Sequence, residues 1–297
     1  MDITVGANQF FWSADKWSEF YTNLATTPVE RIVMGELVCS KRLPFYQDRI
    51  PKAIATLTEA GKEVALTSLA LITLLRERKQ MAQLAEMGLI VEINDLTALA
   101  YLPKGMGFWV GPLVNVYNEG TLAWLASLGA KRICLPPELP IASVKILGTA
   151  GTQLGVAVEV WGYGRLPLAI SGRCYHARLR DRAKDNCQFA CEDDPDGLEI
   201  KTLKNQPFMA INGVQTLSKS YACVDHQIEL LDEAGIASLR LSPQSKGFSQ
   251  LSKVFHKRLL GALPAGAIAD EVRQLEPNIQ LSDGFLTGKS GASWSAD

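Results

Sequence analysis

Short apolar runs alternate with amphipathic stretches along most of this 297-residue chain, and this alternation limits the possible folds more than any other feature. Each run is long enough for one buried strand, and most of the stretches between runs are long enough for a helix. This pattern is typical of βα units around a parallel sheet. The eight apolar runs are residues 3–6, 31–34, 63–66, 89–93, 108–110, 132–135, 156–160 and 238–241.

Predicted helices occupy most of the gaps between these runs. They are expected at residues 15–24, 45–60, 70–87, 120–128, 139–149 and 225–234, with a last one near 248–260. Eight strands with intervening helices favour a closed barrel over an open doubly wound sheet. We therefore predict an α/β protein with a (β/α)8 TIM-like barrel, as a single domain over residues 1–297.

The connection between the seventh and eighth predicted strands is far longer than an ordinary loop. This insertion covers about residues 163–236 and contains two strand-like runs, 198–203 and 207–214, which predict a β-hairpin over the barrel mouth. The last residues, about 287–297, are small and polar, and they predict a disordered tail.

Three of the six cysteines lie in the insertion, where Cys174, Cys187 and Cys191 are separated by twelve and three residues. One loop with this spacing can present three thiolates to one centre. Cys39 is the best candidate for a fourth ligand, because it follows the run 31–34 and so lies in a strand-to-helix loop. Four thiolates suit a tetrahedral zinc ion or an iron–sulfur cluster, and the spacing alone does not decide between them.

Other interpretations of these cysteines are a coincidence of spacing, a redox pair, or small buried apolar residues. Disulfides are not expected, because the N-terminal residues lack the basic region and apolar core of a signal peptide. We therefore expect a cytoplasmic protein. The two remaining cysteines are predicted to be a strand residue, Cys134, and an isolated thiol, Cys223.

The formal net charge of −1, with both signs scattered along the chain, argues against a nucleic-acid binder that works by bulk charge. No apolar run approaches the roughly 20 residues that a membrane-spanning helix needs. The composition therefore predicts a soluble protein without membrane insertion, and a membrane-resident substrate would have to be met through a pocket or a partner.

Polar side chains follow, or lie within, several predicted strands, and functional groups of a parallel barrel gather at the carboxyl ends of its strands. The candidate substrate-binding residues are Glu36, Asn115, Tyr117, Asn118, Glu159, Arg165, Arg173 and Arg240. Helix caps, turns and ion pairs explain each of them equally well. No nucleophile elbow, P-loop or HExxH helix is present, so no catalytic residue is predicted.

Several segments together resemble one protein family. They are GELVCSKR, ALTSLALIT, NVYN, PPEL, YGRLPLAISGRC with its cysteine spacing, NGVQTLS and LRLSPQ. In order from about Val5 to Gln244, they are similar to a ubiquinone-biosynthesis branch of the collagenase-like peptidase family. This is family U32, once classed as being of unknown catalytic type.

The resemblance implies a [4Fe–4S] cluster held by Cys39, Cys174, Cys187 and Cys191. It also implies a heterodimer with a UbiU-type paralogue in oxygen-independent ring hydroxylation, an associated lipid-carrier accessory protein, and prephenate as the small-molecule oxygen donor. The chain is then a subunit of a hydroxylase complex and not a genuine peptidase. Three alternatives stay open, namely a non-catalytic cluster-bearing scaffold for the partner, an RNA hydroxylase and a peptidase.

Overall fold

The computed structural model describes residues 1–296, over which twelve β-strands and nine α-helices form. The strands are β1 (Asp2–Val5), β2 (Arg31–Met34), β3 (Glu63–Thr67), β4 (Ile90–Ile93), β5 (Phe108–Val110), β6 (Ala130–Cys134), β7 (Ala157–Ile170), β8 (Leu198–Lys201), β9 (Pro207–Asn212), β10 (Gln215–Cys223), β11 (Ser238–Leu241) and β12 (Leu281–Ser282). The helices are α1 (Ala14–Leu24), α2 (Ile50–Glu59), α3 (Leu75–Glu86), α4 (Glu119–Ser127), α5 (Ile141–Leu154), α6 (Tyr175–Arg178), α7 (Ile228–Glu233), α8 (Phe248–Leu259) and α9 (Ala267–Leu275).

Eight strands form a closed parallel barrel. Strands β1 to β7 pair in chain order, and β11 pairs in parallel with both β7 and β1, which closes the ring. A parallel strand in a barrel is covered by the interior on one face and by helices on the other, so apolar residues occupy both faces. All four residues of β2 are accordingly buried. The predicted (β/α)8 TIM-like barrel is confirmed.

The helices around the barrel begin and end where the sequence offers a suitable cap. Ser13 accepts a hydrogen bond from the Lys16 N–H at the start of α1, and Asn118 caps α4 in the same way through the Thr121 N–H. Helix α5 ends at Gly155, which adopts the left-handed conformation that favours glycine. The helix predicted over 70–87 starts only at Leu75, because the segment before it is extended and bonded to the loop after β2.

The insertion is a sheet extension built on β7. This strand continues past the barrel to Ile170 and pairs antiparallel with β10, which pairs with β9, which pairs with β8. The predicted hairpin corresponds to β8 and β9. Strand β10 was not predicted, and the Cys223 thiol lies at its buried end. Between β7 and β8 the chain forms the single turn α6 and two short 3-10 turns, at Lys184–Asn186 and Ala190–Asp193.

The C-terminal segment packs against the barrel, contrary to the predicted disordered tail. Trp294 is buried, and the Ser295 hydroxyl donates a hydrogen bond to the Asp283 carboxylate. The Asp283 N–H donates to the Ser293 carbonyl at 2.9 Å. Asp297, the last residue of the predicted tail, lies outside the described residues. A buried tryptophan among small polar residues is the physical reason that the segment is ordered.

Across residues 1–296, no helix combines the length and the apolar character needed to cross a bilayer.

Candidate metal centre

Cys39, Cys174, Cys187 and Cys191 line one cavity, where the loop after β2 meets the chain that follows β7. All four side chains are half-buried, and none forms a disulfide. Cys39 and Cys174 come from distant parts of the sequence, and the sheet extension carries the second segment back over the barrel. The fold therefore brings together the four cysteines that the sequence singled out.

Glu36 shapes the loop that presents Cys39. One carboxylate oxygen accepts hydrogen bonds from the backbone N–H groups of Val38 at 2.8 Å and Cys39 at 2.9 Å. The other accepts the Tyr46 hydroxyl at 2.6 Å. Burial raises the pKa of Glu36, and the neighbouring Arg42 opposes this rise. Both carboxylate oxygens of Glu36 therefore accept hydrogen bonds from within the protein. These contacts do not support the predicted role of Glu36 in substrate binding.

Polar contacts anchor the segment that carries the other three cysteines. The Cys174 sulfur accepts the Ala177 N–H at 3.4 Å at the start of α6. The His176 ring lies 2.9 Å from the Asp194 carboxylate, through Nε2. Lys41 reaches across from the Cys39 loop and donates to the Lys184 carbonyl at 2.7 Å. The two halves of the cavity wall are therefore joined independently of any metal.

Arg42 lies beside the cavity and is almost completely buried, with 1% of its surface exposed. Nη1 donates to the Gln9 carbonyl and Nη2 to the Asn212 side-chain oxygen, each at 2.9 Å. Asn212 in turn donates to the Gln9 carbonyl at 2.6 Å and to the Gln215 side-chain oxygen at 2.9 Å. A buried carboxamide network therefore holds this guanidinium in place.

Burial raises the pKa of the Cys39, Cys174 and Cys191 thiols, and the positive charge of Arg42 opposes the rise at each of them. Burial therefore favours the thiol over the thiolate at these positions in the metal-free protein. Metal binding needs thiolates, so it has to displace protons from this site.

The barrel interior contains a separate network of charges. The Arg240 guanidinium contacts Glu92 at 2.6 Å and Glu159 at 2.5 Å, and Arg132 contacts Glu159 at 3.0 Å. Thr4 and Ser238 donate hydroxyl hydrogen bonds to the same Glu159 oxygen. Glu159 and Arg240, which the sequence proposed as substrate-binding residues, are therefore paired with each other.

The remaining candidate residues are dispersed. Arg165 donates to the carbonyls of Asp196, Ser218 and Lys219, so its guanidinium holds the extension together. Tyr117 bonds to Glu138 at the surface. The other three are Asn115, which is exposed, Asn118, which caps α4, and Arg173, which is exposed. The structure does not gather these residues into one site.

Residues 15–295 of the chain match the model of Peptidase family U32. The chain belongs to this family. The chain is also 24% identical over 196 residues to a protein named "Collagenase" from Porphyromonas gingivalis strain ATCC BAA-308 / W83, covering 59% of the chain and 44% of that protein. The U32 chain therefore spans less than half the length of this relative.

Solved structures resemble this U32 chain at low identity. A B. cereus protein described as uncharacterized is 12% identical with a TM-score of 0.47, over 89% of this chain and 66% of that one. N-isopropylammelide isopropylaminohydrolase from Burkholderia multivorans ATCC 17616 is 10% identical with a TM-score of 0.43, over 88% and 60% of the two chains. The fold assignment rests on the strand pairing described above.

The donor set of this U32 protein can be compared with what each metal centre needs. Within residues 1–296, no three His, Cys, Asp or Glu side chains converge closely enough to share one ion. A single zinc ion takes up to four cysteine sulfurs, each about 2.3 Å from the ion. A four-iron cubane also takes four cysteine ligands, one on each iron, so a set of four thiols suits either centre.

The space between the four thiols is about 20 Å³, which is room for about one water molecule. A cubane is larger than this. The segment that carries Cys187, after the Lys184–Asn186 turn, and Cys191, in the Ala190–Asp193 turn, would therefore have to move outward to admit it. The chemistry of the donors fits a cluster, and the cofactor stays a prediction.

A second cavity of about 190 Å³ shares a wall with the Cys39 loop. It lies between α2 and α3, and Gly35, Glu36 and Ser40 form one side of it. Most of the other lining side chains are apolar, among them Leu43, Ile50, Leu66, Leu69, Ile72, Met81, Leu84 and Met87. Arginine and lysine do not contribute to this lining, so the cavity favours an uncharged ligand over an anion.

Sequence reasoning missed Arg42, Gln9 and Asn212. An arginine in a short loop is usually exposed, so the letters alone do not indicate burial. The sequence did contain one signal, since Arg42 follows Cys39 by three residues. In the structure this spacing forms a turn in which the Arg42 N–H donates to the Cys39 carbonyl. A cation placed one turn after a metal-ligating cysteine is a reason to consider charge compensation.

Proposed function

We propose that this protein is an iron–sulfur subunit for oxygen-independent ring hydroxylation in ubiquinone biosynthesis, of the UbiV type. In this proposal it acts as a heterodimer with a UbiU-type paralogue, and a lipid-carrier accessory protein serves the same pathway. Cys39, Cys174, Cys187 and Cys191 would hold a [4Fe–4S] cluster.

One observation carries this proposal. Four cysteines from two distant segments surround a single cavity, with a buried guanidinium beside it, in a member of family U32. Buried thiols that merely fill space need neither this convergence nor a neighbouring cation. The motifs around Cys39 and Cys174 point to the same branch of the family.

When bound, such a cluster supplies one-electron transfer. Four cysteine ligands leave no iron open to a substrate, so we assign this subunit electron transfer or support of its partner, with the aromatic substrate bound mainly by the partner. The cavity between α2 and α3 supports an apolar ligand next to the Cys39 loop. A ring or a hydrocarbon chain would suit its mostly apolar lining.

The proposed oxygen donor, prephenate, is a dicarboxylate, for which a guanidinium fork is the natural partner. Of the three candidate arginines, Arg165 and Arg240 are occupied by the chain itself. Arg173 is exposed, and its guanidinium forms no hydrogen bond within residues 1–296. Arg173 is therefore the arginine that we assign to carboxylate binding.

The contacts of His176 do not favour a peptidase, although the relative from P. gingivalis is named a collagenase. A cysteine peptidase needs a thiol in hydrogen-bond contact with a histidine base. His176 Nε2 faces Asp194, but the buried Nδ1 has no partner, sulfur included, within the described residues. A hydrogen bond between a thiol and a histidine base is thus missing from the cavity that His176 shares with the four cysteines.

The proposal is tested by measuring iron, sulfide and zinc in protein purified without oxygen, alone and co-expressed with the partner. We expect about four irons and four sulfides per chain, as a cubane held by four cysteines requires. Expression of the chain should also restore anaerobic ubiquinone synthesis in a strain that lacks this protein. One zinc per chain without sulfide would contradict the proposal and favour a structural clamp.

A further inference from the structure

Arg42 is a buried cation without an acidic partner. Three other buried arginines, Arg31, Arg240 and Arg258, each lie within 4.0 Å of carboxylates. Within residues 1–296 Arg42 has no carboxylate at that distance, and its buried Nε has no hydrogen-bond partner. A buried charge is destabilising unless an opposite charge compensates it.

Arg165 is the nearest comparison, because it also lacks a carboxylate partner. It is 8% exposed, its guanidinium donates to three carbonyl oxygens, and it stacks 4.6 Å from the Tyr221 ring centre. Arg42 donates to two neutral acceptors, is less exposed, and lies 5.7 Å from the Phe11 ring centre. Among the buried arginines of the described chain, Arg42 and Arg165 are thus the two without a carboxylate within 4.0 Å, and Arg42 is the one that lines the four-cysteine cavity.

The groups near Arg42 that can carry a negative charge are Glu36 and the four cysteines. Both oxygens of the Glu36 carboxylate accept hydrogen bonds from Val38, Cys39 and Tyr46, and neither accepts one from Arg42. The other such groups are the four cysteines that line the same cavity as Arg42. They bind a metal as thiolates, so a bound metal centre would place negative charge beside Arg42.

We propose that Arg42 is the counter-cation of the four-cysteine metal centre and that its fixed charge raises the reduction potential of that centre. This inference rests on the proposed function, because it needs a four-thiolate cluster. One-electron reduction adds a negative charge next to Arg42. A nearby positive charge in a low-dielectric site stabilises the reduced state more than the oxidised state.

The position of Arg42 is built into the fold. The Gln9 carbonyl and the Asn212 side chain hold the guanidinium, and Gln215 donates to the Gln9 side-chain oxygen at 2.8 Å. Gly213 leaves room for it, since a Cβ there would lie 2.8 Å from Nη2. A charge held in advance does not need to reorganise when an electron arrives.

The test is the reduction potential of the cluster-bearing protein, measured by redox titration with its spectrum as readout. Arg42→Gln should shift the potential to a more negative value. Lys41→Gln is the matched control, because Lys41 lines the same cavity but already pairs with the Lys184 carbonyl and Asp185. Lys41→Gln should therefore shift the potential less.

Arg42→Lys separates charge from shape, because lysine keeps the charge and loses the fork. Its potential should lie closer to that of the original protein than to that of Arg42→Gln. A second readout is the difference in unfolding free energy between cluster-bearing and cluster-free protein. This difference should narrow in Arg42→Gln, because the cation helps only when thiolates face it.

An unchanged potential in Arg42→Gln, or an equal shift in Lys41→Gln, would overturn the inference. Loss of the cluster from both Arg42 variants but not from Lys41→Gln would also overturn it, because geometry and not charge would then be required. If the original protein binds no iron and sulfide, the proposed function itself fails. Metal content of the original protein therefore distinguishes the two failures.

Discussion

Two buried arginines in this molecule sit in opposite electrostatic surroundings. Arg240 lies in the barrel interior against Glu92 and Glu159, and these charges are paired within the chain. Arg42 lies at the junction of barrel and extension, next to thiols and without an ion-paired carboxylate among the described residues. The charges around Arg240 are balanced within the chain, so removing one of them should destabilise the fold. For Arg42 we infer that the balancing charge comes from a metal centre that binds after folding.

The largest expected effect concerns the cysteines. Cys39→Ala should cause loss of the cluster, because it removes one of the four thiolates proposed to hold it. Cys134→Ala removes a thiol that is buried in β6 and should leave iron and sulfide content unchanged. Both are measured in protein purified without oxygen. Full iron and sulfide in Cys39→Ala would remove this residue from the ligand set.

The Arg240 side of the comparison is tested by Arg240→Met. This change leaves the carboxylates of Glu92 and Glu159 buried without the positive charge of Arg240. We expect it to lower the unfolding free energy by about 3–5 kcal/mol. Arg49→Met is the control, since Arg49 pairs with Asp15 at the surface and should cost less than about 1 kcal/mol. Urea denaturation measures both. Equal costs would show that the interior network is not stabilising.

Because of the same network, we expect the unfolding free energy to depend on pH in the acid range. Burial alone would raise the pKa of Glu159, but Arg240 and Arg132 outweigh it and hold the pKa at about 2. The unfolded value is about 4.3. The stabilisation is therefore present above about pH 4.3 and is lost as the pH falls toward 2. The urea midpoint should fall across this range, and Glu159→Gln should flatten that fall.

The smallest expected effect is at Gly213, which supports the Arg42 position. Gly213 has φ +61°, and a side chain there costs about 1–2 kcal/mol of backbone strain. Gly213→Ala would also displace the Arg42 guanidinium without removing its charge. Gly155→Ala is the control, since Gly155 has φ +66° and open space around it. Only Gly213→Ala should reduce cluster retention, followed as the rate of iron release.

The barrel was predictable because its strands are short, apolar and covered on both faces. The predictions for 31–34, 108–110 and 238–241 agree with β2, β5 and β11 residue for residue. Strand β7 was predicted too short, because Gly162, Gly164 and Pro167 interrupt its apolar run. Strand β10 is rich in serine and threonine, and it forms because neighbouring strands on both sides supply its hydrogen bonds.

The candidate site was only partly predictable. The spacing of Cys174, Cys187 and Cys191 singled out three candidate ligands, and the position of Cys39 directly after a predicted strand singled out the fourth. The burial of Arg42 depends on Gln9 and Asn212, which lie far away in the sequence. Such a contact follows from tertiary packing, and no local pattern of residues encodes it.

The position of Cys39 on the second barrel loop, far in sequence from its three companions, has a consequence for how the protein matures. The ribosome makes Cys39 early, but the other three cysteines follow only after the seventh strand. A cluster held by all four could therefore be inserted only once seven of the eight barrel strands have been made. Once inserted, the cluster would act as a cross-link that closes a long loop of chain.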